Sequence, residues 1–468
     1  MKQATTFTKR GLVLPFLFLL LCLLVLTASK KIPNPQGEQH LVPSLPSQDA
    51  WWQLFQDPML DSLIAKAMVK NYDVRTAIRK IEMAKSKLRV DRSPYYPTID
   101  FSVKYTPEKS SLSADKSNII ERNGTATFNL NWELDVFGRI RKESSSQKEF
   151  YFASQEDYRG VMVSMAAQLS SAYINLRLAQ KQLDVARENL NSQQKVMELT
   201  RSKFEVGLVS QLDVAQAKSR YLQTKASLPG LEANINEQIN QISVLLGEHS
   251  ALVRQQLLPV QPLPKNPRKV ALGIPANLIR QRPDVRSAER TIDGLAAAVG
   301  ASRADWWPKF LVTGFFGYSS EQFEHFTERE NMIWQIAPTM KWTIFSGRNL
   351  VEAEKTAQLQ LEEEINNYNQ ILLSAIQEVD NAMVTYNKSL RQLAAMQEAY
   401  EQTRLTLELA IKLYESGLTN YQNVLTSQTD LLNYENSLIE AQAASLLQLI
   451  QLYKALGGGW PTSRQTNN

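Results

Sequence analysis

Cysteine is nearly absent. The chain of 468 residues has one, Cys22, so no disulfide can form within it and no cysteine metal site can be assembled. Histidine is scarce as well. His40, His249 and His325 are far apart and lack metal-ligand spacing, which argues against a histidine-built metal centre. Net charge is small, +5 over the whole length, with no basic block, so the pattern gives no footprint for nucleic acid. P-loop, nucleophile-elbow and dinucleotide-loop patterns are missing too. Gly457-Gly458-Gly459 follows a helical stretch and reads as a stop signal, not a phosphate cradle. The expectation is no catalysis, no cofactor and no metal.

Long apolar runs are missing with one exception, at 11–26. Lys2, Lys9 and Arg10 precede it and Thr27-Ala28-Ser29 follows, giving a charged region, an apolar core and a small-residue cleavage site. Residues 1–29 are expected to be a signal peptide, the mature chain beginning near Lys30; an uncleaved anchor is the alternative. Leu21, before Cys22, is not the small residue a lipidated cysteine requires, so no lipid is expected. No other stretch reaches the ~18 apolar residues of a spanning helix.

Proline is missing between Pro338 and Pro461, and Ala, Leu, Gln and Glu dominate there. These are strong helix formers. Residues 350–415 read as one helix, roughly 100 Å long at ~1.5 Å per residue, and 421–456 as a second. Ser416-Gly417-Leu418-Thr419-Asn420 turns one back on the other. The same hairpin occurs earlier. Phe204-Glu205-Val206-Gly207-Leu208 matches Tyr414-Glu415-Ser416-Gly417-Leu418 at an offset of 210, as do Leu246-Gly247 with Leu456-Gly457 and Trp132 with Trp342. Asp73-Val74-Arg75 matches Asp284-Val285-Arg286, and Tyr95-Tyr96-Pro97 matches Trp306-Trp307-Pro308, both at 211. The chain is a tandem duplication of one domain-sized plan.

The expected organisation is a Pro-, Gln- and Ser-rich lead-in at 30–50, a first repeat at 51–250, a Pro-rich linker at 251–274, a second repeat at 275–460 and a tail at 461–468. Asp57 before Pro58 fits a helix start. A helix from 74 to about 92 carries Ala77, Ile78, Ile81 and Ala84 on one face, and Pro94 and Pro97 end it. Pro229 is expected to kink the returning helix of the first repeat.

After each short helix the period changes to two. Ile99, Phe101, Val103 and Tyr105 alternate with polar residues, a polar loop spans 106–124, and Phe128, Leu130, Trp132 and Leu134 alternate again. In the second repeat Phe310, Val312 and Phe316 form one expected strand, and Trp334, Ile336, Met340, Trp342 and Ile344 the next. Segments of about 9–11 residues with aromatic ends suit tilted membrane strands; two soluble hairpins packed on the helices remain the alternative. Four strands cannot close a membrane barrel, and an open edge in lipid would leave backbone groups unpaired. Several copies must therefore pool strands: two would give a filled lumen, three a twelve-stranded barrel with room for a passage. The modestly apolar helices suit a tube that is wet inside and out.

With these residues assembled, the chain resembles the outer-membrane efflux proteins, the TolC-like channels, and within them the drug-efflux branch. The resemblance runs from Trp51 to Trp460. It is carried by Trp52-Gln53-Leu54-Phe55-Gln56-Asp57-Pro58, Ala226-Ser227-Leu228-Pro229 with Leu231-Glu232, Ile274-Pro275 through Arg280, Arg282-Pro283-Asp284-Val285-Arg286, and the two Gly-Leu turns. It implies an α+β membrane protein: long α-helical hairpins forming a periplasmic α-barrel, and four transmembrane β-strands per chain pooled in a homotrimeric twelve-stranded β-barrel of the outer membrane. It also implies an exit duct joined by a periplasmic adaptor to an inner-membrane pump of the RND type. A duct for type I protein secretion and a structural coiled-coil surface protein are the alternatives. Gly207, Leu208, Gly417 and Leu418 are the expected adaptor-docking tips. Relatives carry gate carboxylates at positions matching Asn423 and Thr426, both uncharged here. A gate built from Tyr421, Gln422, Asn423 and Thr426 is therefore expected, with Asp213 or Asp430 as the alternative acid.

Overall fold

A computed structural model of the chain describes residues 51–109, 120–266 and 276–458. The expected signal peptide, lead-in and tail lie outside those residues. Helix α1 (Pro58–Lys70) starts as its sequence dictates. The Asp57 carboxylate accepts from the backbone N–H of Met59 and Leu60 at 2.9 and 3.2 Å, and Pro58 fills the first helical position, where an N–H would go unused. Helix α2 (Tyr72–Arg92) is capped in the same way by Asn71. Its inner stripe, Val74, Ala77, Ile78, Ile81, Ala84 and Leu88, has helical spacing.

Strands β1 (Thr98–Lys109) and β2 (Ile120–Leu134) lead into the first long hairpin, α3 (Arg139–Glu205) and α4 (Gln211–Leu246). A short α5 (Ser250–Leu257) follows. The second repeat supplies α6 (Pro283–Ala304), β3 (Lys309–Ser320), β4 (Met332–Lys341), α7 (Asn349–Glu415) and α8 (Tyr421–Ala455). Helices α3 and α7 both have 67 residues, and α4 and α8 have 36 and 35. The duplication therefore holds in three dimensions. It holds in detail as well: the Trp132 indole donates to the Tyr95 carbonyl and the Trp342 indole to the Trp306 carbonyl, both at 3.1 Å.

The four strands form one antiparallel sheet in chain order. The ladders run from Thr98↔Asn131 to Lys109↔Ile120, Gly124↔Ser320 to Leu134↔Phe310, and Lys309↔Lys341 to Tyr318↔Met332. The β2–β3 ladder joins the repeats and leaves β1 and β4 as edges. One face is apolar and open, with Phe101, Val103 and Tyr105 at 60–70% exposure and the Phe101 and Phe128 rings 4.9 Å apart. On the other face Ser102, Thr127 and Asn129 hydrogen-bond among themselves.

Three expectations need correction. The first ladder runs out to Lys109 and Ile120, so the β1–β2 connection is shorter than 106–124. Strand β4 ends at Lys341 because β3 begins opposite it at Lys309, just after Pro308. Trp342 and Ile344 therefore have no partner backbone and lie outside the strand. The linker opens with α5, which buries Val253 and Leu257 one helical turn apart; eight residues are too few for its period to stand out. Pro229 lies inside α4, which continues through it.

The main core forms where α1, α2 and α5 meet α3, α4 and α8. Leu60, Ile64, Leu169, Ile174, Ile239 and Leu449 are fully buried there. Cutting one such side chain to Ala typically costs about 2–5 kcal/mol.

Candidate functional site

The far ends of the two hairpins form the candidate site. Each long helix ends in the same way. Leu208 N–H reaches back to the Lys203 carbonyl and Gly207 N–H to that of Phe204; Leu418 and Gly417 repeat this with Leu413 and Tyr414. That pairing closes the helix only if the glycine is left-handed, and Gly207 and Gly417 have φ of 76° and 75°. Beyond them Leu208 and Leu418 stand 72% and 76% exposed.

The returning helices restart on side-chain caps. Ser210 and Asp213 form a reciprocal box, the Asp213 carboxylate accepting from the Ser210 N–H and hydroxyl at 2.9 and 2.8 Å. The Asn420 side chain accepts from Asn423 N–H, while the Asn423 amide donates to the Thr419 hydroxyl at 2.6 Å. Asp213 thus serves the cap of α4. Gln422, Asn423 and Thr426 are exposed on the first turns of α8, and Tyr421 is buried.

The two tips touch. Tyr414, Tyr421 and Val424 pack with Val196, Ala217 and Ala410 in a small core of their own. The Lys203 ammonium donates to the Tyr414 carbonyl at 2.6 Å and lies 4.5 Å from the centre of its ring. The Tyr414 hydroxyl donates to Thr200 at 3.3 Å. Burial, with Tyr414 beside it, pushes the Tyr421 phenol up to about 12. The sequence patterns give Lys203, Tyr414 and Thr200 no role at the tip. Their signal was a difference between the repeats, since Lys203 aligns with Leu413 and Phe204 with Tyr414.

Among the described residues no group of acidic, histidine or cysteine side chains is arranged to hold a metal ion, and no helix is long and apolar enough to cross a membrane.

Comparison with known proteins agrees with this geometry. The chain is 28% identical to the probable outer membrane lipoprotein SilC of Salmonella typhimurium, over 92% of this chain and 93% of SilC. It is 29% identical to the solvent efflux pump outer membrane protein SrpC of Pseudomonas putida, over 92% and 91%. Among solved structures it is similar to the outer-membrane channel OprN, with 27% identity, a TM-score of 0.83 and coverage of 88% and 93%. The CmeC channel of Campylobacter jejuni, 22% identical, shares the fold with a TM-score of 0.81 over 89% of both chains. The model of the outer membrane efflux protein family matches residues 63–248 and again 274–458, one match per repeat. The chain belongs to that family.

Proposed function

We propose that the protein is the outer-membrane exit duct of an efflux system, passively conducting small molecules that an inner-membrane pump expels. The observation that carries this reading is the sheet with an apolar open face, a polar opposite face and two unpaired edges, joined to hairpin helices of 67 residues. Such a sheet is stable in lipid only when its edges meet those of other copies. Three copies give twelve strands and a lumen. Helix α7 supports the same assembly, since Leu359, Leu373, Leu405, Leu409 and Leu413 are exposed along it.

In this reading the tips Gly207-Leu208 and Gly417-Leu418 receive a periplasmic adaptor, which links the duct to a pump of the RND type. Apolar side chains held out on rigid turns suit that role. Tyr421, Gln422, Asn423 and Thr426, just past the second tip, would line the narrow mouth.

Planar-bilayer conductance of the purified protein, with its native mass in detergent, tests the duct. A trimer that conducts is expected; a monomer with full β-content, or a trimer without conductance, would overturn it. Docking is tested separately. Leu208→Asp or Leu418→Asp is expected to abolish efflux in cells while assembly persists, and efflux in both variants would place docking elsewhere.

A further inference from the structure

The duplication specifies how neighbouring copies meet. Within one chain the repeats touch along α3 and α8. Gln182 donates to Glu440 at 3.1 Å, and Lys203 holds Tyr414 at the tip. By the offset of 210, α7 stands in the second repeat where α3 stands in the first, and α4 where α8 stands. In a ring of copies, the free side of α7 must therefore meet α4 of the next copy in the same register.

Mapping residues across that offset changes the chemistry. Counted along the two antiparallel helices from the Gln182–Glu440 contact, Glu188 of α3 stands level with Glu435 of α8, and burial together with the Glu188 charge holds the Glu435 carboxyl above its ordinary range. Their counterparts are Lys225, 210 before Glu435, and Glu398, 210 after Glu188. A repulsive pair becomes an attractive one. Both side chains are exposed, and among the described residues neither has an ion pair within the chain. At the tip Tyr414 maps to Phe204 and Lys203 to Leu413. These are 42% and 46% exposed, although Tyr414 itself is buried. Two apolar groups replace the ammonium and phenol, and both are open to solvent in the single chain.

We propose that Lys225 of one copy pairs with Glu398 of the next, and that Phe204 packs on Leu413 of the next, so that the seam between copies is complementary in charge and apolar at its tip. The polar Lys203–Tyr414 latch stays within each chain. The tip then has two alternating kinds of junction, chemically distinct although built on one plan. This assignment rests on the ring proposed above.

Charge reversal and cross-linking test it. Lys225→Glu and Glu398→Lys should each lower the temperature at which the detergent-resistant oligomer dissociates, and the double variant should recover most of the loss. Cys22 precedes the expected cleavage point, so introduced thiols stand alone in the mature chain. Phe204→Cys with Leu413→Cys, treated with a short bismaleimide, should give covalent oligomers that neither single variant gives. Lys203→Cys with Tyr414→Cys should cross-link inside one chain, with no gain in oligomer mass. A wild-type oligomer of the expected mass in which the double reversal is no better than the single ones, and the Phe204→Cys, Leu413→Cys pair stays uncoupled, would overturn this register and leave the ring intact. A monomeric wild type would overturn both.

Discussion

Lys203 and Tyr414 are joined twice, by a hydrogen bond of 2.6 Å from the ammonium to the Tyr414 carbonyl and by the ammonium lying 4.5 Å from the centre of the tyrosine ring. The carbonyl belongs to the last turn of α7, where it also accepts the Gly417 N–H that closes the turn. One lysine on α3 therefore adds a second donor to the closing turn of a helix in the other repeat.

Replacing that lysine should loosen the junction without unfolding the chain. Lys203→Met keeps the apolar stem and removes both contacts, with an expected loss of about 2 kcal/mol locally. Hydrogen exchange at the last turns of α7 should rise roughly thirtyfold. Tyr414→Phe, which loses only the bond to Thr200, should change little. Unaltered exchange in Lys203→Met would mean that packing alone holds the tips.

Asp57 has two tasks, and two substitutions separate them. It caps α1 and accepts the Tyr173 hydroxyl at 2.6 Å. Burial and that bond hold the Tyr173 phenol well above its ordinary range, so it stays a neutral donor. Asp57→Ala should lose about 1 kcal/mol for the cap and about 1–3 kcal/mol more for a buried hydroxyl left without its acceptor. Asp57→Asn should retain most of both. Thermal midpoints in detergent rank the three proteins, and equal losses in both variants would show that the charge, not the cap, matters.

The features legible in the sequence were those with a period or a repeat. The long helices, the Asp57-Pro58 start and the Gly-Leu turns all repeat a local rule and lie where the pattern puts them, while the strand alternation locates the four strands but not all their ends. What escaped notice depends on contacts between distant segments. Arg177 is fully buried in the middle of α3, with its guanidinium 4.7 Å from the centre of the Tyr173 ring and donating to Gln180, the Pro259 carbonyl and Gln261. It pins the segment after α5 to the long helix, and no local signal distinguishes it from a surface arginine. Alternation in the sequence continues past Lys341, where the partner strand runs out, so β4 ends before its pattern does. The site was legible in part: the turns were found, while the Lys203–Tyr414 latch needed the packing of one repeat on the other.

Glu435 gives a pH dependence. Its carboxyl is held above the ordinary range by burial and by Glu188, partly offset by Asn189 and Lys181. A raised carboxyl means that the folded state holds the proton more tightly than the unfolded one. The penalty is therefore absent below the unfolded value and fully developed above the folded one. Glu435→Gln should raise the thermal midpoint at neutral pH, and the gain should vanish in acid below the ordinary glutamate range. A gain of equal size at both pH values would assign it to packing instead.

The mouth of the duct should be indifferent to divalent cations. In a symmetric ring every side chain just past the Gly417-Leu418 turn recurs once per copy. A carboxylate there would form a closely spaced anionic ring, which concentrates cations and binds divalent ions through its oxygens. Asn423 and Thr426 are uncharged, and the Asn423 amide is engaged by Thr419. The Asp213 carboxylate is engaged by Ser210 in the cap of α4. Single-channel current in the unmodified protein should therefore not change when calcium or magnesium is added. Asn423→Asp with Thr426→Asp should create a block that a chelator reverses. Asp213→Asn should leave the divalent response unaltered and remove about 1 kcal/mol of helix capping at most. A strong block in the unmodified protein would place an acidic ring elsewhere, with Asp430, exposed two and a half turns along α8, the first residue to test.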